Sequence, residues 1–149
     1  MTESQATRSV RAPWHLWVIG VIALLWNAVG AFDYVMTETR NAAYMSAFTP
    51  EQLAFFYGIP PWVIAAWAIA VWGGVLGALL LLLRRRLAVW VFLASLVAMV
   101  VTTFHNYVLS NGLEIFRGAG SRAFTAVIFA IALGLFLYAR AMSKRGVLV

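Results

Sequence analysis

The segment PPWVIAAWAIAVWGGVLGALLLLLRRR, residues 60–86, decides the fold class. From Trp62 to Leu83 it carries no charged side chain, and three arginines then stop it. A helix rises ~1.5 Å per residue, so about 20 apolar residues cross the ~30 Å hydrocarbon core of a bilayer. Proline at the start suits a first helical turn, Trp62 suits the interface, and the arginines suit a headgroup layer. Within the run, Gly73 and Gly77 form a small-xxx-small pair. Ala66, Ala70 and Gly74 make a second one alongside, a pattern that lets helices pack closely.

Apolar runs of similar length occupy residues 14–36, 87–109 and 122–142 on either side of this one. The expected fold is an all-α membrane protein: an antiparallel bundle of four transmembrane helices forming a single domain over residues 1–149. Composition agrees, with 64% hydrophobic residues, seven Trp and 11% charged residues, where a soluble domain carries about 25% charged. No room remains for a separate soluble domain. The first run also exceeds the roughly 7–15 residues of a cleaved leader's apolar core. Val29-Gly30-Ala31 only faintly resembles a cleavage site, so a retained helix is expected.

The net charge of +6 is a topology signal rather than a nucleic-acid signal. Arg8, Arg11, Arg84, Arg85, Arg86, Arg140, Lys144 and Arg145 lie on one side of the four spans. Arg40, Arg117 and Arg122 lie on the other side, with every acid except Glu3. Positive charge concentrates on cytoplasmic loops, which places both termini in the cytoplasm and adds attraction to anionic lipid. The absence of cysteine excludes thiol–disulfide chemistry and Cys-ligated metal.

The longest loop, residues 37–59, contains Thr49-Pro50-Glu51-Gln52, a helix start with Thr49 as cap and Gln52 reaching back. Phe48 and Leu53 stand at the positions of a hydrophobic staple. A short outer-side interfacial helix over about residues 50–57 follows, lying on the membrane surface or folded over the bundle. The link of residues 110–121 holds Gly112, Gly118 and Gly120 and reads as flexible.

Polar side chains inside the spans are the candidate site, because they are costly at membrane depth. Gly20, Ala23, Asn27, Gly30 and Tyr34 share one face of the first helix, and Asp33 borders that face. The third span turns polar at its outer end with Thr102, His105 and Asn106, and Thr125 enters from the fourth. Asp33 lies nineteen residues beyond Trp14 and His105 eighteen beyond Leu87, so the two reach similar depth. If the first and third helices are neighbours, Asp33 and His105 pair, with Asn27, Tyr34, Thr102, Asn106 and Thr125 around them.

Three readings of these residues stand. One is an outer pocket for a small polar solute, built on a titrating carboxylate–imidazole pair. Another is an interhelical hydrogen bond that fixes packing, worth about 0.6–2 kcal/mol. In the third, Asp33 simply reaches interfacial water. His15 sits near the cytoplasmic end, about 25 Å in depth from His105, so the two histidines do not clamp one haem. Beside Trp14 and Trp17 it reads as an interfacial anchor. No HExxH, phosphate-binding loop or hydrolytic triad occurs, so neither an enzyme nor a cofactor is expected.

Trp26-Asn27, Gly30, Asp33-Tyr34, Glu51-Gln52, Pro61-Trp62, Trp67-Ala68, Trp72-Gly73, the leucine run into Arg84, and Ser95-Leu96 together carry a resemblance. The chain resembles small four-span bacterial inner-membrane proteins commonly labelled sugar transporters, and is similar in shape to DoxX-like proteins. The likeness covers the first three helices and implies residence in the bacterial inner membrane, with no catalytic residue to carry over. Half-transporters for sugars differ in having three-helix units with proline hinges, whereas proline here lies only at span starts and in the loop. Two functions are therefore expected from the sequence: a small-solute transport or binding protein, plausible as a homodimer, or a non-catalytic accessory or assembly subunit of a larger membrane complex.

Overall fold

The computed structural model describes residues 10–115 and 119–149. Helix α1 runs over Trp14–Glu38, α2 over Ala42–Met45, α3 over Pro50–Tyr57 and α4 over Pro61–Leu82. Helix α5 runs over Leu87–Phe104 and continues as a π-helical turn, His105–Leu109. Short α6 (Gly112–Ile115) and long α7 (Ala119–Lys144) complete the order. Among the described residues four helices, α1, α4, α5 with its π-turn, and α7, are long and apolar enough to cross a membrane. The chain is thus an all-helical multi-pass membrane protein, and the described spans lie within a few residues of those read from hydropathy.

Helix α4 is the hub. It packs against both α1 and α5, and these are the two most extensive helix contacts. Its glycines make the approach close. A Cβ at Gly77 would sit 2.6 Å from the Phe92 ring, and one at Gly74 would overlap the Asn27 amide oxygen. At Gly73 an added Cβ would lie 3.2 Å from the Ser95 side chain. The polar groups drawn into these seams are satisfied there. Asn27 donates to the Ala23 carbonyl at 2.8 Å, and Ser95 donates across to the Ala70 carbonyl on α4.

Helix α7 packs chiefly on α5. It meets α1 through side chains: His15 Nδ1 lies 2.5 Å from the Tyr138 hydroxyl, and the Trp26 and Phe124 rings stand 6.3 Å apart. The order around the bundle is therefore α1, α4, α5, α7, each antiparallel to its neighbour. His15 is more than an interfacial anchor, since its imidazole joins the first spanning helix to the last.

Three helices end in the same hydrogen-bonded motif. After α4, Arg85 N–H donates to the Leu80 carbonyl and Arg84 N–H to the Leu81 carbonyl, with Arg84 left-handed at φ 56°. After α1, Asn41 N–H reaches Met36 and Arg40 N–H reaches Thr37, with Arg40 at φ 51°. After α7, Gly146 takes the left-handed position at φ 78°. Glycine is the usual residue there, so arginine at two of the three positions carries a conformational cost of about 1–2 kcal/mol each.

Residues 146–149, which follow the basic Lys144-Arg145, fold back onto the bundle. Val147 and Leu148 are 1% and 0% exposed and join the core of Leu16, Leu81, Ala88, Ala139 and Met142. Substitutions at the glycines test the hub directly. Gly74→Ala is expected to cost about 1–3 kcal/mol through overpacking, read as a lower Tm in detergent. Gly134→Ala, whose Cβ meets open space, should leave Tm unchanged or raise it. Equal responses would reject α4 as the close-packed centre.

Candidate functional site

The end of the bundle opposite Arg84–Arg86 holds the polar residues singled out in the sequence, except Asn27, but they fall into separate groups. Asp33, near the end of α1, accepts a hydrogen bond from the Tyr44 hydroxyl on α2. Asn41 positions Tyr44 by accepting its backbone N–H at 3.0 Å, capping α2. Tyr44 lies edge-on to Phe32 at 5.8 Å and packs on Phe48, which meets Phe56 edge-on at 5.1 Å. An aromatic chain thus runs from α1 over the loop to α3. The Thr49–Gln52 capping box is formed in both directions, at 3.1 and 3.2 Å. Arg40 lies over the Tyr57 ring, 4.1 Å from its centroid, and ties the start of the loop to its end.

His105 belongs to a different group. It opens the π-helical turn, is 8% exposed, and stands edge-on to Trp62 of α4 with centroids 5.5 Å apart. Its Nδ1 lies 3.2 Å from the Asn106 amide oxygen. One turn before, Thr102 donates to the Ala98 carbonyl at 2.9 Å. Tyr107 and Thr125 share a 2.9 Å hydrogen bond that ties the π-turn to α7. Tyr34 turns toward α4, edge-on to Trp67 at 4.8 Å.

The expected Asp33–His105 pair is therefore replaced by two local pairs, Asp33–Tyr44 and His105–Asn106. The cause is the order of the helices. In a ring of four antiparallel helices the two that run in the same direction lie on the diagonal. With neighbouring axes about 8–10 Å apart, the diagonal is roughly 11–14 Å, beyond the reach of these short side chains. Nor do the two share a level: Tyr34, beside Asp33, meets Trp67 of α4, whereas His105 meets Trp62 nearer that helix's start. Asn27 lies lower, in the α1–α4 seam, and is spent on packing.

Two surface depressions accompany these groups. A cleft of about 650 Å³ lies between α3 and α6, bordered by Glu51, Ala54, Asn111, Glu114 and Ile115. The link that contains α6, read as flexible from its glycines, is helical there, and Gly112 is buried against the Asn106 carbonyl where a Cβ would clash. A wholly apolar groove of about 320 Å³ runs between α1 and α4, lined by Ala28, Ala31, Phe32, Val35, Trp72 and Val75. Neither depression contains Asp33 or His105. Among the described residues no three His, Cys, Asp or Glu side chains come together as a metal site. Every buried side-chain nitrogen and oxygen among them has a hydrogen-bond partner.

Tyr44 was not singled out in the sequence, because a tyrosine in a 23-residue loop announces no partner. The alternation of aromatics at 44, 48, 55 and 56 was the available signal. Comparison with protein-family models, with curated proteins and with solved structures gave no match.

Burial pushes the Tyr44 hydroxyl up to about 12, helped by its hydrogen bond to Asp33 and that carboxylate's charge. A folded-state value above the free value of 10.0 means that the folded state holds the proton more tightly. The contribution is complete below the free value and is lost as pH rises from there through about 12. Tyr44→Phe should therefore be less stable than the parent at neutral pH, with the gap closing across that alkaline window. Thermal melts of the two proteins at matched pH values measure it, and a pH-independent gap would reject the Asp33–Tyr44 bond.

Proposed function

We propose that this protein is a non-catalytic accessory or assembly subunit of a larger membrane complex. The observation that carries this reading is the way the polar side chains of the spans are spent. Asn27, Ser95 and Thr102 bond to helix carbonyls, and Tyr107 bonds to Thr125. Asp33 and His105 are each held by a residue near in sequence. Side chains used in this way specify which helix faces meet and leave little polar surface to receive a solute inside the bundle. The aromatic chain over α2 and α3 and the apolar outer faces of α1 and α7 supply contact surface for other spanning helices.

A second reading, transport or binding of a small polar solute, has one feature in its favour: the cleft beside Glu51, Asn111 and Glu114. In that reading the solute enters above the spans, as the sequence resemblance to four-span sugar-transporter-labelled proteins would imply. The two make different predictions. Purification in mild detergent should recover a stoichiometric membrane partner, seen as an added mass in native mass measurement. A lone chain or a simple homodimer would reject the accessory reading. Solute uptake that falls in Glu51→Gln at equal protein level would favour the second.

A further inference from the structure

We propose that residues 146–149 form a releasable latch that shuts the basic end of the bundle against water, with Arg84 as its catch. Five hydrogen bonds converge on that end. The Arg84 Nε–H donates to the Val147 carbonyl at 3.1 Å, and its Nη2 donates to the Val10 carbonyl. Val149 N–H returns a 2.8 Å bond to the Arg84 carbonyl. Arg86 Nε reaches the Leu148 carbonyl at 3.4 Å, and Val10 N–H reaches Gly146 at 3.3 Å. One arginine thus gathers the segment before α1 and the segment after α7 onto the turn between α4 and α5.

The backbone of that turn explains why the residue is arginine. Position 84 is left-handed, where glycine would cost nothing. Keeping a side chain there makes sense only if the guanidinium is used, and it is used twice. The latch in turn places Val147 and Leu148 over Met142, Leu81, Ala88 and Leu16, so water at the basic end meets peptide and arginine before it meets the core. The fastening is local. Two apolar side chains and a few hydrogen bonds, beside the exposed Arg85 and Arg86, can open without unfolding four spanning helices.

The absence of native cysteine makes the test clean. Met142→Cys reports from beneath the latch and Ala31→Cys from the opposite half of the bundle, both buried at 3% and 5% exposure. The full chain in lipid nanodiscs is treated with a charged maleimide, alone and combined with Leu148→Asp or with Arg84→Gly, which keeps the left-handed turn and removes only the catch. Both changes should speed modification at Met142→Cys by at least about tenfold and leave Ala31→Cys within about twofold. No acceleration at Met142→Cys in Arg84→Gly would overturn the proposal. Equal acceleration at both reporters would overturn it too, since the segment would then be holding the whole fold rather than closing one end.

Discussion

The bundle depends on the closeness of α4 to its two neighbours. Gly73, Gly74 and Gly77 remove side chains from the faces where α1 and α5 arrive, and the backbones come near enough for Asn27 to lie over one helix and Ser95 to bond to its carbonyl. In lipid there is no hydrophobic force to bring helices together, so dispersion and such bonds must supply the attraction. Once α1 and α5 are both committed to α4 they occupy opposite corners, and α7 takes the remaining place beside α5. The arrangement of every polar residue at the far end follows from that.

What could be read from the sequence and what could not divides along a physical line. Hydropathy is a property of each segment alone, so the four spans were legible to within a few residues, as were the α4 glycine pairs and the Thr49 capping box. Azimuth was not. Which face of α1 sees which helix depends on packing partners, and the expectation that Asp33 and His105 meet failed there. The ends of the helices were hidden for a different reason. Arginine in place of glycine at positions 40 and 84 gives no left-handed signal, and Val147 and Leu148 follow a basic run without any periodicity to mark them as core.

The same economy governs the candidate site. Asp33, Tyr44, His105, Asn106, Tyr107 and Thr125 lie near one end, where the Asp33–Tyr44 and Tyr107–Thr125 bonds each join two elements and His105 contacts its neighbour Asn106. Polar residues in a membrane domain are expensive whether they bind a solute or a neighbouring helix, so their presence does not by itself separate the two uses. Partners do separate them. Here the partners are a loop tyrosine, an adjacent amide and a threonine on the last helix, which is what supports the accessory reading proposed above.

The seam between α1 and α7 has a consequence for how the chain is made. The ring closes there through an imidazole–phenol contact and a pair of aromatic rings rather than through backbones in close approach. A ribosome releases α1, α4 and α5 first, and those three already own the tightest interfaces in the molecule. The last helix can then dock sideways from lipid onto a finished trio. Biogenesis need not thread it between helices already in place.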